Sequence, residues 1–356
     1  MNIYDTGLDR CAANYVALSP IGFVERSAEV FGDLPAVIHG RRRYQWSKLR
    51  ERSARLAAAL RALGIGRGHT VSVMLPNTPE MIEAHYAVPA LNAVLNTLNT
   101  RLDAALLAWQ LNHCEAQVLI TDREFAPTMA GALRLLREEH GRELIVIDVA
   151  DSEYTGPGER LGTFEYEALL AARAPLEHLD GPRDEWDAIA VSYTSGTTGD
   201  PKGVVTHHRG AYLNAVCNAA TWTMPQFPTY LWTLPMFHCN GWGMPYAVTG
   251  MGGRHVVIRK IDGEEILRRI SDEGVTLMCG APAVVAAVLD AGAKRRTAGV
   301  DVPGGVRIVV AGAPPPSKAI ERVETELGWE FNQIYGLTET SPVLTINRSR
   351  GEWDGL

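Results

Sequence analysis

What this sequence lacks narrows its class before any motif is read. Its five cysteines, Cys11, Cys114, Cys217, Cys239 and Cys279, are scattered and contain no CxxC pair. That pattern indicates neither a disulfide framework nor a zinc knuckle and fits a reducing compartment. The amino terminus, MNIYDTGLDR, carries acidic residues where a secretory signal needs a basic start and an apolar run. A cytoplasmic protein is therefore expected. No uninterrupted apolar stretch is long enough for a transmembrane segment. Positive charge is in deficit, with a net charge of -7 and a pI near 5.8, whereas a protein that binds a nucleic acid polymer shows a basic face or stripe. The one basic run, Arg41 to Arg43, reads as a solvated turn.

What is there is a chain of 356 residues, 46% hydrophobic, enough to bury the core of more than one domain. Strand-like and helix-like patterns alternate from Tyr44 to Gln333. Ser47 is placed to cap a helix with Leu49, Leu56, Leu60 and Leu63 on one face and Gly64 at its end. Apolar runs follow at Val71 to Leu75, Val118 to Ile120, Leu144 to Ile147, Ile189 to Tyr193, Val256 to Ile258 and Val306 to Val310, and a helix opens near Thr78-Pro79. This order predicts an α/β fold of mostly parallel, helix-flanked sheets. Tyr154 to Glu159 and Ala174 to Asp187 read as connectors. The second sets a boundary between subdomains 1-180 and 181-356. From Gly210 to Gly253 there is no Asp, Glu, Lys or Arg, so this stretch is either buried core or the wall of an apolar pocket.

After the Ile189 to Tyr193 strand the chain reads YTSGTTGDPKG. Hydroxyls at Thr194, Ser195, Thr197 and Thr198 alternate with Gly196 and Gly199, which let backbone amides approach an anion, and Lys202 adds positive charge. A polyphosphate would suit this loop, although a Gly/Ser/Thr surface turn shares its composition. A kinase-type P-loop fails here, since Pro201 and Gly203 flank the lysine. The string is similar, position for position, to the phosphate-binding signature of the adenylate-forming superfamily of acyl-CoA synthetases, luciferases and adenylation domains. The fold implied is the large N-terminal domain of such an enzyme, built on two mostly parallel sheets.

Two further motifs fit the resemblance. In FNQIYGLTET, Phe331 to Thr340, a strand delivers an aromatic ring, a hydroxyl and a carboxylate to one place. Tyr335 could stack on a purine, Thr338 bond a phosphate and Glu339 offer a hard oxygen to Mg2+. The same residues also read as a strand end with Thr338 capping a helix. The resemblance implies Tyr335 on adenine, Gln333 on its amine, Thr338 on the α-phosphate, Glu339 on the metal and Gly336 near both nucleotide and acid. It also implies that Ala311, Gly312 and Ala313 close the other face of adenine.

The third motif, LPMFHCNGW, ends at Trp242. His238 by itself reads as a core histidine, Cys239 beside it does not make a nucleophilic pair, and adjacent His207 and His208 do not make a metal pair. The resemblance places Phe237, His238, Asn240 and Trp242 around the acid. Amino-acid-activating relatives usually carry Asp where His238 stands, so an uncharged, short- to medium-chain acid is expected. Trp222, Trp232 and Trp242 could narrow its pocket, although an aryl acid stacked between them would satisfy the same residues.

The activity implied is ATP- and Mg2+-dependent formation of an acyl-adenylate, then transfer to CoA. Lys202, His238, Thr338 and Glu339 would be catalytic. The family pattern continues past Leu356 with a ribose-holding Asp and a small lysine-bearing domain, so an isolated chain is expected to turn over slowly or not at all. Loading of a carrier protein, or an inactive nucleotide- or acyl-binding module, are the alternatives. A homodimer is left open.

Overall fold

The computed structural model describes residues 2–194 and 201–347. Short runs rich in Val, Ile and Leu form its strands. In chain order they are β1 (Pro35–His39), β2 (Arg42–Gln45), β3 (Thr70–Met74), β4 (Val94–Thr97), β5 (Ala116–Asp122), β6 (Ile145–Val149), β7 (Phe164–Glu165), β8 (Ala188–Thr194), β9 (Lys202–His207), β10 (Thr229–Trp232), β11 (Arg254–Val257), β12 (Leu277–Gly280), β13 (Arg307–Val310), β14 (Glu330–Gly336) and β15 (Val343–Asn347). They make two sheets, a 7-stranded one ordered β7-β6-β5-β3-β4-β8-β9 and an 8-stranded one ordered β15-β14-β13-β12-β10-β11-β1-β2. Pairing is parallel except at the edges, where β1 with β2, β8 with β9 and β14 with β15 run antiparallel. Every residue of β3, β10 and β12 is buried, as expected of parallel strands covered by helices on both faces.

The helices obey the sequence pattern with one correction. Leu49, Leu56 and Leu60 of the helix Trp46–Ala62 are fully buried, and Gly64, at φ +90°, turns the chain away. Its amino-terminal cap is Gln45, however. Ser47 is the second residue of the helix, and its hydroxyl donates to the carbonyl of Gly32 at 3.0 Å. The helix Pro79–Ala87 begins at Thr78-Pro79 as expected and is buried along its whole length.

The boundary at 180 does not separate the sheets. β8 and β9, beyond it, complete the first sheet, while β1 and β2, from the amino-terminal region, join the second beside β11. Hydrogen-bonding edges decide sheet membership here: parallel pairing of β1 with β11 and of β4 with β8 ties each half of the sequence into the other's sheet.

A buried charge network locks one flank of the assembly. Arg259, just after β11, meets Asp122 at 2.9 Å, Asp151 at 2.6 Å and Glu124 at 2.7 Å. His39 and Arg42 reach the same Asp151 at 2.8 and 2.9 Å. Burial alone would push the Asp151 carboxyl up, but hydrogen bonds from His39 and Arg259, together with the Arg42 charge, hold it well below the usual carboxylate range. The network joins the carboxyl ends of β5 and β6 to those of β1 and β11.

Candidate active site

The opposite flank carries all three motifs. β8 and β9 form a hairpin in which Thr194 sits opposite Lys202, so the loop between them begins and ends at one place. Ser195, Gly196, Thr197, Thr198 and Gly199 lie outside the described residues. Lys202 is exposed.

At the end of β14, a Cβ on Gly336 would lie 1.6 Å from the carbonyl oxygen of Pro342. Glycine is therefore required where the returning chain crosses the strand. The next residues form a 3-10 turn, Thr338–Thr340, whose amino-terminal cap is Leu337; the Thr340 hydroxyl accepts the Leu337 N–H at 2.9 Å. Thr338 is thus not a cap. Its hydroxyl instead meets the Cys239 thiol at 3.0 Å, and Glu339 is exposed beside it.

The acyl-motif segment folds in an unusual way. Cys239, Asn240, Gly241, Trp242 and Gly243 all have positive φ, between 41° and 73°, making a short left-handed helical turn. For the three non-glycine residues this conformation costs roughly 1–2 kcal/mol each. It persists because its neighbours hold it. Asn214 and Asn218 of the helix His208–Thr221 both donate to the Trp242 carbonyl, at 3.1 and 2.8 Å. Ser192 of β8 donates to the Asn240 side chain, and Thr97 of β4 donates to the Phe237 carbonyl at 3.0 Å. Gly243 is needed because a Cβ there would lie 2.1 Å from Asn214 Nδ2.

Three cavities meet at Cys239 and Thr338. The largest, about 500 Å³, is lined by Thr194, Lys202, His238, Trp242, Gly312 and Glu339, among others. A second, about 310 Å³, runs between Leu102, Leu106, Tyr193, Phe237 and His238. The third holds about 30 Å³, lined by Ala211, Asn214, Asn240 and Tyr246 among others, room for one or two water-sized groups. Among the described residues, Glu339 is the only carboxylate lining any of them.

The sequence-predicted residues therefore converge, with exceptions. Thr194, Lys202, His238, Trp242, Ala311, Gly312, Gly336, Thr338 and Glu339 share the large cavity. Gln333 and Tyr335 do not line it, because strand alternation turns them away from Ile334, which does. Tyr335 is 59% exposed. It stands two residues past the last β13–β14 pair, Val310 with Gln333. Ala313 is exposed outside the lining.

His238 is not a core residue: it opens onto two cavities. The protein crowded around it and the nearby Arg101 charge hold its pKa below the ordinary imidazole value. Of the three tryptophans, only Trp242 borders a cavity. Trp222 and Trp232 are core residues, 1% and 0% exposed, and Trp232 Nε1 donates to His255 Nδ1 at 3.0 Å. His207 caps its helix by accepting the Gly210 N–H at 2.7 Å, while His208 bonds Ser19 at 2.9 Å.

Sequence reasoning missed Cys239 as a wall residue and missed the Asn214-Asn218 pair. The latter was detectable, since residues four apart share a helix face.

Among the described residues no group of three His, Cys, Asp or Glu side chains could hold a metal ion. A single exposed carboxylate beside a cluster of hydroxyls suits magnesium, which keeps its waters and shares phosphate oxygens, better than a cation that needs a protein cage.

A glycine-rich hairpin and a cleft at the carboxyl ends of parallel strands define an α/β protein built to hold a ligand at its sheet edge. The family description "AMP-binding enzyme" matches residues 24–355, and the chain belongs to that family. It is 39% identical over 359 residues to acetate/butyrate–CoA ligase AAE7, peroxisomal, of Arabidopsis thaliana, covering 98% of this chain and 62% of that protein. It is also 39% identical over 342 residues to 2-methylpropanoate–CoA ligase CCL4 of Humulus lupulus, covering 95% and 60%. The chain thus spans about three fifths of the length of these relatives.

Among solved structures, the inhibitor-bound N-terminal domain of FACL13 from Mycobacterium tuberculosis superposes with a TM-score of 0.79 at 26% identity, covering 93% of this chain and 79% of that one. The anthranilate CoA ligase AuaEII complex with anthranoyl-AMP shares the fold, with a TM-score of 0.82 at 20% identity over 95% of this chain and 64% of that one. The architecture is that of the N-terminal domain of adenylate-forming enzymes. Among the described residues no helix is long and apolar enough to cross a membrane.

Proposed function

We propose that the protein is a carboxylate-CoA ligase that uses ATP and magnesium to activate a short carboxylic acid with an uncharged tail and transfers the acyl group to CoA. The observation that carries this reading is the large cavity, whose walls join the hairpin, the turn after β14 and the left-handed turn. In the first half-reaction a carboxylate oxygen of the acid attacks the α-phosphorus, and the bond to pyrophosphate breaks. In the second, the thiol of CoA attacks the acyl carbonyl and AMP departs. Neither step needs a covalent protein nucleophile.

Lys202 and the Thr194 to Gly199 loop would hold the β- and γ-phosphates, and Thr338 the α-phosphate. Glu339 would hold magnesium, which when bound neutralises phosphate charge. Adenine would lie at the cavity mouth between Tyr335 and the Ala311 to Ala313 turn, with Gln333 at its amine. His238, lowered toward its neutral form, would border the acid carboxylate without binding it as a cation.

The acid's tail would enter the small cavity beside Asn240 and Tyr246. Its size favours a very short tail, since on the order of one methylene per water-sized volume leaves room for about one or two carbons there. Relatives named for acetate, butyrate and 2-methylpropanoate support a short acid. With Glu339 as the one lining carboxylate among the described residues, an amino acid's ammonium would lose several kcal/mol of hydration without a partner. The free cysteines support a reducing compartment, cytoplasmic in this reading, although the Arabidopsis relative is named peroxisomal.

The test is acid-dependent pyrophosphate release by the full-length protein across acetate, butyrate, octanoate, benzoate and alanine. Butyrate or acetate should lead. A preference for alanine would overturn the pocket assignment, and no acid dependence at all would overturn the function.

A further inference from the structure

We infer that Asn218, with Asn214, is a positioning residue that clamps the left-handed turn and so sets selectivity toward the acid rather than toward the nucleotide. Both amides spend a donor on the single Trp242 carbonyl, at 2.8 and 3.1 Å. Asn218 is 3% exposed and lines none of the three cavities. It therefore reaches a ligand only through what it holds.

What it holds is the carboxyl half of five consecutive left-handed residues. That conformation is intrinsically disfavoured for Cys239, Asn240 and Trp242, so the segment depends on external tethers. The amino half is tied elsewhere, by Thr97 to the Phe237 carbonyl and by Ser192 to Asn240. The far half has the two asparagines. Releasing them would let Trp242 and Asn240 leave the walls of the large and small cavities. Thr194, Lys202 and Glu339, which come from β8, β9 and the turn after β14, would stay in place.

The acid-selective part rests on reading the site as an acyl-adenylate site; the clamp itself does not. Asn218→Asp keeps the side-chain shape but replaces the donor by an acceptor facing a carbonyl. Asn218→Ser is a gentler second variant should the first fold poorly; Asn214 itself lines the small cavity, so a change there would not separate the clamp from direct contact. Hydrogen exchange read by mass spectrometry, without ligand, should show roughly tenfold faster exchange in a peptide spanning 237–246 and no change in one spanning 306–310.

Calorimetry should show butanoyl-sulfamoyl-adenosine binding weakened about tenfold, the usual scale for a lost buried hydrogen bond, with Mg-ATP affinity within about twofold of the parent. Unchanged exchange at 237–246, exchange raised throughout, or equal weakening of both ligands would overturn the inference. If the parent protein binds neither ligand, the functional reading fails, while the exchange data still decide the clamp.

Discussion

The two flanks of the paired sheets treat charge in opposite ways. Where β5 and β6 face β1 and β11, Arg259, Arg42 and His39 share Asp122, Asp151, Glu124 and Glu80 in a largely buried network. Where β8 faces β13 and β14, Lys202 and Glu339 are exposed, and among the described residues neither has an ion-pair partner. Buried charges that find partners hold the lobes together at modest net gain, because desolvation offsets most of the attraction. Charges left over at a concave surface are available to a ligand. One flank holds its charges in pairs and the other, in the proposed reading, offers them to a ligand, although both lie at strand carboxyl ends.

Acid should destabilise the fold as a whole through buried histidines outside both flanking charge sets, and this is the largest effect expected. Burial lowers His85 and His208 to about 4 and His255 to about 3. Each is therefore neutral in the folded protein while the unfolded chain takes up a proton near the ordinary value of 6.5. Their contribution is intact above that pH and is lost as pH falls. Glu83 acts in the opposite sense: burial pushes it up to about 7 against the pull of Arg52, so it favours the folded state increasingly as pH drops toward the ordinary carboxylate range. The balance is an unfolding uptake of about two protons, hence about 3 kcal/mol lost per pH unit between 6.5 and 4.5. Denaturant melts across that range should show it; a flat profile would contradict the neutral-histidine assignment.

Next in size is Arg259→Ala, which strands Asp122 and Asp151 without their shared cation. A loss of about 3–5 kcal/mol is expected, read as a shift in denaturant midpoint. A change under about 1 kcal/mol would mean that the network is not what joins the lobes. The smallest effect belongs to the cleft mouth. Tyr335→Ala should cost about 1 kcal/mol of Mg-ATP affinity by analogy with aromatic stacking and leave the melt unchanged, since its ring is mostly in solvent. If ATP binds the parent and the variant alike, adenine does not lie there.

The sequence made the strands of the interior legible because fully covered parallel strands are written as apolar runs: Val71 to Leu75, Val118 to Ile120 and Val306 to Val310 all became strands. The edge strands β2, β9 and β15 were not legible, since half-exposed residues such as Arg42, Lys202 and Leu344 carry no such pattern. The lobe boundary failed for a related reason: sheet membership depends on long-range pairing, which local composition does not encode. At the site, residue types and order announced the three motifs. Geometry then separated cavity walls from neighbours, turning Gln333 and Tyr335 to the other face of β14 and sending Trp222 and Trp232 into the core. The left-handed turn was the least visible feature. Only Gly241 and Gly243 hint at it, and its non-glycine residues are held by side chains from β4, β8 and a distant helix.

The division between a charge-satisfied flank and a charge-available flank is tested most directly by Mg-ATP titration calorimetry on the parent protein, Lys202→Ala and Glu339→Gln, with thermal melts of each. Removing either group should weaken Mg-ATP binding about tenfold or more, the scale of a charge-assisted contact, while melting stays within the small range typical of exposed substitutions. Affinity that is unchanged in both variants, or lost only together with stability, would contradict the assignment of this flank to the nucleotide.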